Sequence, residues 1–285
     1  MSEINYDYLV NQIQRDLPTL PTIVNELTNV LENPDASTFA VEDVMRADQC
    51  MTMKILRVAN TSFYRGNRER VTDANEAIGT LGFEKLRNLV LTTSVFKMFS
   101  RPSAEEKFSL EGLWKHCFGV ASASRSLAKY LGKSWHERAY TCGLVHDIGK
   151  VARFKLDEIE ESEDFIRDSQ TSLDKKINFF KSELINQSPR HDYLGFLICK
   201  NWGLSNYVEG VVRWHHEPNP ENRQKVTSED ANELIDLVIL ANWAVNVQKF
   251  GFSGHENPDT PSNALLSRLN LNNTHIDKIQ TYIEN

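Results

Sequence analysis

Cysteine is scarce in this chain. Cys50, Cys117, Cys142 and Cys199 form no CxxC pair and no disulfide pattern, which argues against a stapled secreted scaffold and fits a reducing cytosol. Long apolar runs are missing as well. The longest, LIDLVILANWAVNV, is too short to span a bilayer and carries Asp236. The opening MSEINYDYLV has neither the basic start nor the apolar stretch of a secretory signal. We therefore expect a soluble, cytoplasmic protein without a membrane partner. Positive charge is also short: 32 Lys and Arg face 39 Asp and Glu, a net charge of −7. A general nucleic-acid binder needs a basic surface, so nucleic acid is disfavoured as a partner. Tandem repeats, low-complexity tracts and the period-two alternation of strands are absent too.

What remains is helical spacing nearly throughout the 285 residues, enough for one large domain or two modest ones. LPTIVNELTNVLENPDAS predicts a helix started by Pro21 and ended before Pro34. AVEDVMRADQCMTMKILRVANTSFY predicts two helices around a turn near Asp48. EAIGTLGFEKLRNLVLTTSVFKMF predicts a short helix, a turn and a long apolar helix. Past the polar break SRPSAEEKFS, LEGLWKHCFGVASASRSLAKYL places Leu113, His116, Val120, Ser124 and Leu127 on one stripe. A helix carrying His146 follows. The acidic run LDEIEESEDFIRDSQTS reads as a solvated helix or loop. HDYLGFLICKNWG predicts a helix from just after Pro189 to Gly203, and NYVEGVVRWHHEPNP one closed by Pro218. ELIDLVILANWAVNVQKF predicts the last long apolar helix. GFSGHENPDTPSN reads as a loop, and THIDKIQTYIEN as a terminal helix capped by Thr274.

Five of the eight histidines, His116, His146, His191, His215 and His216, sit on or beside apolar helix faces. A single buried histidine is more often a hydrogen-bonded core residue than a ligand. Five on four helices, joined by the His146-Asp147 pair, suggest one shared site, although separate structural roles stay open. Imidazoles and a carboxylate suit iron, manganese, zinc or nickel. Asp147 can bridge two such ions, and water between them becomes a nucleophile near neutral pH. Lys150 lies one turn from His146, where its ammonium could reach a phosphate. Asp147 and Lys150 are therefore the candidate catalytic groups. In the amino-terminal half, Phe63 and Tyr64 beside Arg65, Arg68 and Arg70 read either as packing and solvated residues or as a contact patch.

The order His116, HDIGK at 146–150, His191, His215-His216 and a polar residue at 242 resembles the HD superfamily of metal-dependent phosphohydrolases, including its HD-GYP type. LPTLPTIVNELTNVLENPDAS, ADQCMTMKILRVANTSFY and EAIGTLGFEKLRNLVL are similar to the amino-terminal half of the HDOD domain, the HD-related output domain of bacterial signalling proteins. The resemblance runs from about Leu17 to about Phe250. It implies an all-α fold, an HD-like helical core preceded by an amino-terminal helical subdomain. Residues 1–103 would form the amino-terminal part, 104–250 the core with the His/Asp cluster, and 251–285 a loop and helix packed on that core.

The resemblance further implies a first ion held by His116, His146 and Asp147, and a second by Asp147, His191, His215 and His216, with Lys150 meeting a phosphate. The family's last metal carboxylate stands here as Asn242 in LANWAVN, whose carbonyl oxygen brings no negative charge. That change implies a weakened first site. ENRQKV stands where a GYP signature would be, so cyclic-di-GMP hydrolysis is not implied. The function expected is regulatory: bacterial signal transduction through protein interaction or ligand sensing, with a metal pocket retained. The alternative is a divalent-metal phosphohydrolase acting on a nucleotide or phosphate ester. The expected partners are a signalling protein and a small phosphorylated or nucleotide ligand.

Overall fold

The computed structural model describes residues 4–13, 26–27, 30, 33, 37–46, 48–66, 68–82, 86, 108–226 and 228–272. Among these residues every regular element is a helix. Apart from residues 26, 27, 30 and 86, which are helical, the expected helix from Pro21 and the long apolar helix after Gly82 lie outside the described residues, as does the terminal helix from Thr274.

The amino-terminal part holds α1 (Tyr6–Ile13), α2 (Thr38–Met45), α3 (Gln49–Ala59), α4 (Ser62–Arg65) and α5 (Ala74–Leu81). The expected turn near Asp48 is present, and the Asp48 carboxylate caps α3 by accepting from the Met51 amide at 2.6 Å. The core follows: α6 (Leu110–Tyr130), α7 (His136–Val145), α8 (Ile148–Glu160), α9 (Asp164–Lys175), α10 (Phe179–Asn186), α11 (His191–Asn201), α12 (Asn206–Trp214), α13 (Glu229–Val247) and α14 (Asn263–Arg268). Helix α6 is the spine. Helix α7 packs along one side of it and α13 along another, while α8, α11 and α12 stack in succession and close back on α7 and α13. Helix α3 joins the two parts by packing on α7, and α1 lies across α8 and α11. The Leu113, His116, Val120, Ser124 and Leu127 stripe of α6 is buried along its whole length.

Among the described residues, eight helices start on Ser, Asp or Asn side chains that accept a backbone N–H in the first turn, among them Ser109 on α6 and Ser228 on α13. Each such bond satisfies an orphaned donor and contributes about 1 kcal/mol. Helix α8 departs from this. Its cap position holds Asp147, a strong capping type, but the side chain makes no cap bond and turns to the interior instead. The expected single helix through His146 is in fact two, since α7 ends at Val145 and α8 begins at Ile148. The acidic run also differs from its expected solvated state: Asp168 of α9 is fully buried. It forms an ion pair with the buried Arg153 at 2.6 Å, a partner no local pattern reveals.

Candidate metal centre

The break between α7 and α8 sets His146 and Asp147 side by side in the interior. Both are fully buried, as are His191 and Lys150, and His116 and His215 are nearly so. His116 comes from α6, His191 from the first turn of α11, and His215 and His216 from the end of α12. Close approach of α8 to α11 depends on Gly149. A Cβ there would lie 1.8 Å from the His191 carbonyl oxygen and 2.6 Å from its carbon. No other residue type admits this contact, and the contact brings Asp147 against His191.

The ring orientations are fixed from behind. His146 Nδ1 lies 2.7 Å from the Gly143 carbonyl oxygen, and His215 Nδ1 lies 3.0 Å from that of Val212. His191 Nδ1 faces the Glu183 carboxylate at 2.8 Å. Carbonyl and carboxylate oxygens only accept, so each Nδ1 carries the hydrogen and donates it. In the neutral rings the Nε2 lone pairs therefore point inward. His191 and His215 Nε2 each lie 3.4 Å from Asp147 Oδ1, and 3.4 Å from each other. His216 Nε2 lies 3.0 Å from His191 Nε2. On the other side, Asp147 Oδ2 faces His146 Nε2 at 3.3 Å, His116 Nε2 at 3.8 Å and the Lys150 ammonium at 2.8 Å.

Where the pinned His146, His191 and His215 rings face Asp147, these contacts set acceptor against acceptor, and a shared cation relieves them. His116 Nε2, His146 Nε2 and Asp147 Oδ1 have no hydrogen-bond partner among the described residues. Two ligand groups result, His116-His146-Asp147 and Asp147-His191-His215-His216, with the donor atoms of each within 4.8 Å of one another. Donors about 2.0–2.1 Å from one tetrahedral ion lie about 3.3–3.4 Å apart, which matches the mutual 3.4 Å spacing of Asp147 Oδ1, His191 Nε2 and His215 Nε2. Burial by itself would raise the Asp147 pKa, but His146 and Lys150 hold it well below the usual carboxylate range and keep it ionised.

Residues 17–218, well over half of the chain, match the HDOD domain family. The chain belongs to that family. An uncharacterized protein of Treponema pallidum (strain Nichols) is 24% identical to this HDOD protein over 232 residues, 81% of the chain. The chain spans only 42% of that relative's length. A fragment of the MmoQ response regulator of Methylococcus capsulatus str. Bath superposes with a TM-score of 0.68 at 19% identity, covering 97% of this chain and 99% of that one. A virulence factor of Campylobacter jejuni subsp. jejuni gives a TM-score of 0.67 at 18% identity, covering 98% and 97%. At such identities the likeness establishes the shared all-helical fold alone.

The HDOD core brings the five histidines, Asp147 and Lys150 together. Asn242, on α13, lines a cavity of about 130 Å³ that opens beside His215 and His216. Its oxygen accepts from Asn246 Nδ2 at 2.7 Å. Asn246 Nδ2 also reaches the Asn242 carbonyl, which fixes the Asn246 amide with its oxygen turned to the Ser253 hydroxyl at 3.1 Å. Ser253 Oγ donates there, so at its 3.3 Å contact with His255 Nδ1 it accepts. His255 is buried in the cavity wall. Burial, with Lys150 nearby, pushes its pKa down to about 3.

Glu183, His255 and Arg153 complete the surroundings of the site, and all three escape a reading of the sequence. Glu183 accepts from both the backbone and the ring of His191, and Arg153 bridges it to Asp168. His255 sits in a Gly/Pro-rich loop with no periodicity, so its only signal is the residue type. Phe180 stacks on His216 at 4.9 Å between ring centres. Of the basic cluster, Arg70 reaches across to the Leu204 carbonyl at 2.5 Å, a packing role between the two parts of the chain.

Proposed function

We propose that this HDOD protein is a signalling module that keeps a divalent-metal pocket and acts by ligand or partner recognition rather than by turnover. The observation that carries the pocket is the inward convergence of imidazole nitrogens on the one ionised carboxylate, Asp147. Asp147, His191, His215 and His216 would hold the ion, with His191 oriented by Glu183. When bound, the ion supplies positive charge toward an anionic group entering the cavity beside His215 and His216. Lys150 adds its ammonium from within, and Asn242, Asn246 and His255 offer polar contacts along the wall. A phosphorylated or nucleotide ligand matches that chemistry. The response-regulator description of the Methylococcus structure supports the signalling half of this reading.

Recognition without turnover is favoured by Asn242, a neutral amide whose oxygen is engaged by Asn246. The second reading, a phosphohydrolase, is favoured by Lys150 buried beside Asp147. Metal-loaded protein incubated with bis(p-nitrophenyl) phosphate and with nucleoside phosphates separates the two. A recognition module gives hydrolysis no faster than its His191→Ala variant under the same conditions. Turnover that needs metal and vanishes in His191→Ala would establish the phosphohydrolase instead.

A further inference from the structure

We infer that the cluster takes one divalent ion, in the Asp147-His191-His215-His216 group, and that the Lys150 ammonium stands as the permanent second cation on the other side of Asp147. This rests on the metal-pocket reading above. The two ligand groups share a single carboxylate, Asp147, with one oxygen turned to each. Asp147 Oδ1 is bare of hydrogen bonds and faces His191 and His215 at 3.4 Å each. Asp147 Oδ2 is already the acceptor of Lys150 Nζ at 2.8 Å. An ion on that same oxygen, at a bond of about 2.1 Å, would lie within about 5 Å of the ammonium. Both charges would share a buried site, where Coulomb repulsion is less screened than in bulk water.

The rest of the His116-His146 side supplies no compensation. Its donors are two neutral imidazoles, and His116 Nε2 is the more distant at 3.8 Å from Oδ2. Asn242 near the cavity brings no charge. Two dications and Lys150 would gather five positive charges around one shared carboxylate. The other side is better provided. It has three imidazoles, with His191 Nε2 3.4 Å from that of His215 and 3.0 Å from that of His216, and Glu183 behind His191 adds negative charge to the ring that donates to it. Such a carboxylate behind a ligating histidine raises its basicity and holds its orientation.

The test counts ions on the full chain. Apo protein prepared with a chelator is dialysed to equilibrium against Mn²⁺ or Zn²⁺ at pH 7.5, and bound metal is measured by plasma mass spectrometry. One ion per chain is expected. His116→Ala should keep that ion with affinity changed less than about 3-fold, and His216→Ala should lose at least about 10-fold. Lys150→Met combined with Asn242→Asp, which removes the competing cation and adds a charge, should raise the count toward two. Two ions per wild-type chain would overturn the single-ion inference while leaving the pocket standing. Loss of the ion in His116→Ala would overturn its assignment to the His191 side. No ion in wild type would overturn the metal pocket itself. The wild-type count and the His116→Ala comparison decide the matter even where the double variant does not fold.

Discussion

Stripped of metal, the protein is expected to lose stability steeply as the pH falls from about 6.5 toward 4. Burial lowers the pKa of His116, His216, His215 and His255, with the neighbouring cationic groups adding to the effect. His215 comes down to about 4 and His255 to about 3, against 6.5 for a free ring. Between the unfolded and the folded value the unfolded chain binds the extra proton, so stability rises with pH across that window and is lost as pH falls through it. At two pH units below 6.5, His215 and His255 together remove about 5 kcal/mol, and His116 and His216 act in the same direction. That is a large fraction of a net stability of about 5–15 kcal/mol. His191 opposes the trend. Burial pulls its pKa down, but Glu183 and Asp147 more than offset it and leave it raised, so this ring stabilises the folded chain at low pH. Chelated protein followed by circular dichroism should show a cooperative acid transition well above pH 4, moved to lower pH by stoichiometric Zn²⁺. A chelated protein whose denaturant midpoint is flat from pH 7 to 4.5 would mean that these rings are not buried neutral.

The second large effect concerns the backbone on which the site is built. Gly149→Ala is expected to cost more than about 3 kcal/mol, because the new Cβ meets the His191 carbonyl and the Gly195 nitrogen rather than a movable side chain. Helices α8 and α11 must then separate, which also draws Asp147 away from His191. At roughly 2–4 °C per kcal/mol for a chain of this size, the melting temperature should fall by about 6–12 °C or more. Gly79→Ala is the control. It lies inside α5 with nothing within 4 Å of its new Cβ, and should be neutral or stabilising by about 0.5–1 kcal/mol. Equal melting temperatures for the two variants would remove the close approach of α8 and α11 from the explanation of the site.

Much of this architecture is legible in the residues. The α6 stripe, the turn near Asp48, and the ends of α11 and α13 follow from 3.6-residue spacing and local hydrogen bonding, which act within a few positions. The five histidines are legible as a group for the same reason, since each lies on an apolar face that must turn inward. The break at His146-Asp147 is not, because no Gly or Pro marks it and the apolar pattern continues on both sides. Glu183, Asp168 and His255 are hidden for a different reason. The partners of Glu183 and Asp168 are 8 to 30 positions away, nothing in a local window shows that a charged residue will find a counterion in the core, and His255 stands in a loop without periodicity. The acid run around Asp168 misleads in this way: most of its charges are exposed, and the one that is fully buried has Arg153 as its partner.

The pocket itself is tested most directly by the metal content of protein purified without chelator and without added metal, wild type beside Asp147→Ala. Asp147 is the only carboxylate common to both ligand groups, so its loss should empty the site even if each imidazole stays in place. Near-stoichiometric iron, manganese, zinc or nickel in wild type, falling below about a tenth in Asp147→Ala, is the expected result. Wild-type protein that holds no metal, and takes up none on reconstitution, would make the histidine cluster a structural core and contradict the pocket.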